Sequence, residues 1–255
     1  MSNDPVLLLH GQPGAAADWE RLRASIGDGV RTIAIDRPGW DGQSAVTDLG
    51  GNASAATAAL DQAGVARATV VGHSMGAAVA AWLACAEPDR VGRLVLVAPA
   101  ANAASLTRID YLLGAPVVGC LAGAVAMASG GLALGSGSVR RHIARTIALD
   151  DRYLQGAGRI LRAPSAWRAF AYEQRTLIRQ LPMLEHRLGQ LSVPTTIVAG
   201  TADRVVPIGA ARRLAAQVPG AELVELEAAG HLVHLRHARE LARVIAGVQQ
   251  VDRPV

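Results

Sequence analysis

The sequence predicts an α/β fold: a doubly wound, predominantly parallel sheet of about six strands that carries a helical cap insertion. Three observations predict it. Short aliphatic runs alternate with Ala-rich helical stretches, the order that builds a parallel sheet. The first five runs are continuous rather than polar–apolar alternating, as strands buried on both faces require. Finally, the segment between the fourth and fifth runs has no strand pattern and reads as helices inserted at one end of the sheet.

Taken in order, "VLLLH" (6–10) is the first strand and a helical stretch at 15–26 follows it. "TIAID" (32–36), the helix 50–63, "ATVVG" (68–72), the helix 75–87 and "LVLVAP" (94–99) complete the first half. The insertion is taken as 105–187, with helices expected at 139–149 and 165–180. "TTIVAG" (195–200), the helix 208–217, "ELVELE" (222–227) and a helix 237–249 close the chain. The core is therefore 1–104 with 188–255, and the cap 105–187. The first strand begins so early that no residues precede it to form an antiparallel hairpin, so a wholly parallel sheet of six strands is expected.

Composition narrows the function. Hydrophobic residues make up 51% of the chain, enough for a large core, but aromatics only 3%, so Ala, Val and Leu must do the packing. The formal net charge of +4 is modest and no nucleic-acid-binding motif appears, which excludes nucleic acid as a partner. Cys85 and Cys120 form no metal-like cluster and read as reduced, buried thiols. The N-terminus lacks a basic region and a long apolar run, so it is no signal peptide, and a cytoplasmic location is expected. The uncharged stretch 115–135 has the length of a membrane span. Its five glycines and its place inside the insertion make it a lid helix or helical hairpin instead, and no transmembrane segment is expected.

The chemistry centres on "VVGHSMGAA" (70–78), which sets Ser74 between Gly72 and Gly76 at the spacing G-x-S-x-G. Ser74 follows a strand and opens a helix, the sharp turn that lifts a hydroxyl out of a sheet. A serine hydroxyl needs a base and an orienting acid. Asp203 in "VAGTADRVVP" follows the fifth strand and His231 in "EAAGHLVH" the sixth, in the chain order Ser, Asp, His. Asp36 is a rival acid, expected instead to stabilise the turn after its own strand. His234 and His237 rival His231, yet only His231 directly follows a glycine. His10 and His73 flank motif glycines as structural hydrogen-bonders, and His142 and His186 are expected on the surface of the cap.

"LLLHGQPG" (7–14), "DRPGWDGQS" (36–44), "GHSMG", "GTADRVVP" and the "GH" at 230–231 together resemble the α/β-hydrolase superfamily, in its serine-nucleophile esterase and lipase-like branch. The resemblance implies that Ser74 attacks a carbonyl carbon. His231 takes and returns the proton, and Asp203 fixes the imidazole. Backbone N–H groups of Gln12 and Met75 form the oxyanion hole. His10, Gly11, Gly72 and Gly76 serve as motif residues. It implies a serine hydrolase of esters, thioesters or lactones of a small, largely apolar molecule, with no cofactor and no metal. Carbon–carbon bond hydrolases, perhydrolases and a non-hydrolytic cyclase, transferase or receptor share the same residues and stay open. "DRPGWDGQS" is one residue longer than the commoner pattern, so the loop after the second strand is expected to line the site differently.

Charge is divided unevenly. The cap holds 11 arginines against five acids, a net of +6, and the rest of the chain nets −2. A substrate that is anionic or bound to an acidic carrier would be attracted by such a lid, with an association rate that falls with salt.

Overall fold

The computed structural model of the chain describes residues 4–147 and 149–247. Six strands form one sheet: β1 (Val6–Leu9), β2 (Thr32–Ile35), β3 (Ala68–His73), β4 (Val91–Val97), β5 (Thr195–Gly200) and β6 (Glu222–Leu226). Their order is β2-β1-β3-β4-β5-β6, and every described pairing is parallel. The chain steps outward from β1 to β2, then returns past β1 to β3. At that reversal the loops leaving β1 and β3 diverge and open a crevice at the C-terminal ends of the strands.

The continuous aliphatic runs are explained by two-sided burial. Leu7, Leu9, Val70, Leu94, Leu96 and Ile197 face one hydrophobic cluster. Val6, Leu8, Val71, Val95, Val97 and Val198 face the other. The helices of the core are α1 (Glu20–Ile26), α2 (Leu49–Gln62) and α3 (Met75–Ala86) before the insertion. Within the insertion lie α4 (Arg108–Gly114), α5 (Val118–Gly135), α6 (Gly137–Ile147), α7 (Asp151–Arg162) and α8 (Pro164–Leu188). After it come α9 (Ile208–Gln217), α10 (Val233–Arg236) and α11 (Ala238–Ile245). Helices α2, α3 and α9 cover the first face, and α1 and α11 the second.

Several expectations are refined. The stretch 15–26 begins with a 3-10 turn, Ala16–Trp19, before α1. The expected helix 237–249 is α11, Ala238–Ile245, and the short α10, Val233–Arg236, precedes it across His237; residues 248 and 249, like residue 148 of the helix expected at 139–149, lie outside the described residues. Of the uncharged segment 115–135, residues 118–135 form the single helix α5. Helix α8 crosses the boundary drawn at 187/188: its Leu177, Leu181, Leu184 and Leu188 join the same buried cluster as α3, so one continuous helix runs from the cap into the core. Cys85 and Cys120 are free, but both are half-buried rather than enclosed.

Candidate active site

The backbone at Ser74 lies at φ 53°, ψ −117°, a strained conformation for a residue with a side chain. It is held by its neighbours: the Ser74 N–H donates to the Val97 carbonyl (2.9 Å), and its carbonyl accepts from Ala77 (3.0 Å) and Ala100 (3.2 Å). Only glycine fits on either side. A Cβ at Gly72 would lie 2.2 Å from the Gly76 carbonyl oxygen, and one at Gly76 would lie 2.3 Å from that of Leu9. The turn therefore sits directly against β1.

Asp203 and His231 come from the loops after β5 and β6. One carboxylate oxygen of Asp203, Oδ1, accepts from the backbone N–H of Val205 (2.8 Å) and Val206 (3.0 Å). That fixes the carboxylate so that Oδ2 accepts from His231 Nδ1 at 2.8 Å. With Nδ1 so committed, Nε2 is the nitrogen left to serve as base. Ser74 and His231 line one cavity together, as do Gln12 and Met75. Met75 is the first residue of α3, so its N–H has no partner within the helix.

Each rival residue has other work. Asp36 Oδ1 accepts from the Ala16 N–H (2.7 Å), so it tethers the segment after β1 rather than its own turn. His237 sits 3.7 Å from Glu240 away from the cavity. His142 and His186 are exposed in the cap. His73 donates from Nε2 to the His231 carbonyl (3.0 Å) and so props the loop that carries that histidine. His234 packs at a tilt against His73 (4.1 Å between ring centroids) and Trp19 (5.0 Å). His10 Nδ1 donates to the Gly11 carbonyl (2.7 Å) while its Nε2 accepts from the Arg37 N–H (3.0 Å). Burial drives His10 and His73 well below the ordinary imidazole range and His234 down to about 3, so all three stay neutral props.

The loop after β2 contributes no cavity-lining residue, contrary to expectation. It folds on itself instead, with Asp41 accepting from the N–H groups of Gln43 and Ser44 and from the Ser44 hydroxyl. Its contribution is Arg37, which motif reading passed over. Arg37 is 1% exposed, and its guanidinium donates to the carbonyls of His10 (2.9 Å) and Gly11 (2.9 Å) and to Asn52 Oδ1 (3.1 Å). It also makes a bidentate pair with Glu173 of α8, itself fully buried. One side chain thus ties the loop that presents Gln12 to the cap. Neither Arg37 nor Glu173 left a signal in the sequence, because the two partners lie 136 positions apart.

The cavity measures about 750 Å³. Its wall is mostly aliphatic and comes mainly from the cap: Leu113, Leu134, Ile143, Leu154, Leu161 and Phe170. Asp18, Asp110 and Tyr153 also line it, and Arg204, which is exposed, is the only arginine among the described lining residues. Burial pushes the Asp18 carboxyl up to about 7. Gln12 Nε2 donates to Gln174 Oε1 (2.7 Å), whose own amide donates to Asp110 (3.0 Å), a second polar bridge from core to cap.

A strained serine at a strand-to-helix turn, opening into the same cavity as a carboxylate-held histidine on a parallel sheet, defines a hydrolase of the α/β fold. The model of the Alpha/beta hydrolase family matches residues 6–244, and the chain belongs to that family. It is 28% identical over 265 residues to a 2-hydroxy-6-oxononadienedioate/2-hydroxy-6-oxononatrienedioate hydrolase of Pseudomonas putida, covering 95% of this chain and 86% of that protein. Among solved structures it is similar to a meta-cleavage product hydrolase from Pseudomonas fluorescens IP01 (TM-score 0.73, 20% identity, 96% of this chain and 90% of that one). It is also similar to a thermophilic esterase from Thermogutta terrifontis (TM-score 0.70, 20% identity, 95% and 88%). These two structural likenesses establish the fold alone.

Proposed function

We propose that this hydrolase cleaves uncharged carboxylic esters of an apolar acyl chain through an acyl-enzyme on Ser74. The observation that carries the reading is the cavity wall. Aliphatic side chains lead to Ser74 and His231, and the lining offers two carboxyl groups against one exposed arginine. A dienedioate, the substrate in the name of the Pseudomonas putida relative, carries two carboxylates. Burying such charges without cations is costly, whereas an uncharged acyl chain gains about 25 cal/mol per Å² of apolar surface buried.

In this reading the Ser74 hydroxyl attacks the ester carbonyl while His231 Nε2 takes its proton. Asp203 holds Nδ1–H and stabilises the imidazolium. The N–H groups of Gln12 and Met75 receive the oxyanion, each such donor being worth about 3 kcal/mol of barrier lowering. His231 then protonates the leaving alcohol, and water reverses the sequence to release the acid. Support comes from the Asp203–His231 bond and the shared lining of Ser74, His231, Gln12 and Met75.

Carbon–carbon bond hydrolysis of a dienoate is the second reading, favoured by the curated relatives. One assay separates the two: kcat/KM for a series of uncharged esters of rising acyl length and for a dienoate, in wild type and Ser74→Ala. The ester reading expects kcat/KM to rise with acyl length, all turnover to vanish in Ser74→Ala, and a fluorophosphonate to label Ser74. A dienoate preferred over every ester would overturn it.

A further inference from the structure

Helix α5 carries its large and small residues on the wrong sides for a helix facing water. Gly119, Gly123, Met127 and Gly131 are buried against the cap. Val118, Leu121, Val125 and Leu132, on the opposite face at helical spacing, are 59–68% exposed. A helix bordering water normally does the reverse, with its large apolar residues inward. The arrangement is locked. A Cβ at Gly131 would lie 2.6 Å from Arg162 Cγ and 3.0 Å from the Arg162 backbone nitrogen, so α5 lies too close to the end of α7 to turn its large side chains inward. The neighbouring α4 adds Ile109 and Leu112, both more than half exposed. Ile109 also lines the cavity, so the apolar face reaches the cavity mouth.

Helices α4 and α6, packed beside α5, carry exposed arginines. Arg108 opens α4, and Arg141 and Arg145 stand exposed on α6; none of the three has an ion-pair partner among the described residues. Arg140 is engaged, bonded to Asp151 (2.6 Å) and to the Leu134 carbonyl (3.2 Å), where it closes the end of α5.

We propose that the α4–α5 face docks on an anionic phospholipid surface, with α5 lying in the plane of the interface. The Val118–Leu132 stripe enters the acyl boundary and the α6 arginines meet the headgroups. Interfacial helices bind through apolar area together with attraction to anionic lipid, the combination present here. A second copy of the chain fits the face worse, because two caps each of net +6 would meet. A spanning orientation fits worse still. Helix α5 has the length and mean hydropathy (1.7) of a span, but its glycine face is committed to α7 and α8. Docking would place the cavity mouth against lipid, so on the ester reading the substrate is drawn from the bilayer. The docking itself does not depend on that reading.

The test is flotation of the full chain with vesicles of phosphatidylcholine alone and of phosphatidylcholine mixed with phosphatidylglycerol, at low and high salt. Circular dichroism and Tm serve as fold controls. Wild type should float with the anionic vesicles at low salt and much less with the neutral ones or at high salt. Leu121→Ser/Val125→Ser and Arg141→Glu/Arg145→Glu should each lower partitioning by about tenfold or more with Tm unchanged. No binding to anionic vesicles, or binding that the serine pair leaves intact, overturns the proposal. So does a dimer in solution that the serine pair dissolves. Vesicle binding without any ester turnover would leave docking standing and remove the ester reading.

Discussion

Replacing Glu173 by leucine tests whether the cap is fastened to the core by a desolvated ion pair. In wild type the Arg37 guanidinium and the Glu173 carboxylate are 1% and 0% exposed. Glu173→Leu removes the carboxylate that Arg37 binds among the described residues and leaves the guanidinium with three neutral oxygens, from His10, Gly11 and Asn52. Breaking one side of a buried pair costs about 3–5 kcal/mol. For a domain of this size each kcal/mol lowers Tm by about 2–4 °C, so a fall of roughly 6–20 °C is expected. Arg37→Met should be no milder, since it strands the carboxylate and also takes the donor from the buried His10 carbonyl, at about 1–3 kcal/mol; the Gly11 carbonyl keeps its bond from His10 Nδ1. The double variant should lose less than the sum of the singles, because no unpaired charge then remains. Activity supplies an independent readout. Arg37 anchors the carbonyls just before Gln12, so Arg37→Met should lower kcat by about 10²-fold, the scale of one lost oxyanion donor, with KM changed far less. Lysine should not rescue it, because the site uses a planar, multi-donor head. Thermal unfolding followed by circular dichroism decides the first point. A Tm within about 2 °C of wild type in Glu173→Leu, equivalent to roughly 1 kcal/mol or less, would show that the pair is not desolvated and that the cap is held by other contacts.

Two pH dependences follow from buried groups. Asp18 is raised from 3.8 to about 7, so its stabilising contribution is complete below about pH 4 and is lost as pH rises to about 7. Asp18→Asn should therefore gain stability over wild type across that window, the gain levelling off above it; a gain equal at pH 4 and pH 8 would refute the assignment. His234 is depressed from 6.5 to about 3, so its contribution is complete above about 6.5 and is lost as pH falls towards 3. His234→Phe keeps a ring between His73 and Trp19 and should flatten the loss of stability below pH 6.5, as read from urea unfolding at stepped pH values.

The sheet was legible from sequence because its signal is local. Unbroken runs such as Leu7–Leu9 and Val70–Val71 are what two-sided burial demands, and five of them in order, with a sixth run of mixed polarity after them, leave little choice of topology. Ser74, Asp203 and His231 were legible for the same reason: each sits in a short turn whose glycines or chain order mark it, and the structure brings His231 and Asp203 to 2.8 Å. The roles of neighbouring residues were harder to read. Asp36 binds Ala16, twenty positions away, rather than its own turn.

By itself the sequence determined the alternation of strand and helix, the elbow at Ser74 and the excess of arginine in the insertion. Those features depend on residue types at short spacing, where backbone geometry leaves few alternatives. Only the tertiary structure decided that Arg37 reaches Glu173, that α8 joins cap to core, and that α5 turns glycine inward and leucine outward. Each of these depends on which surfaces meet after the chain has closed on itself, and the faces of a helix as uniformly apolar as α5 carry no pattern from which its packed side can be read.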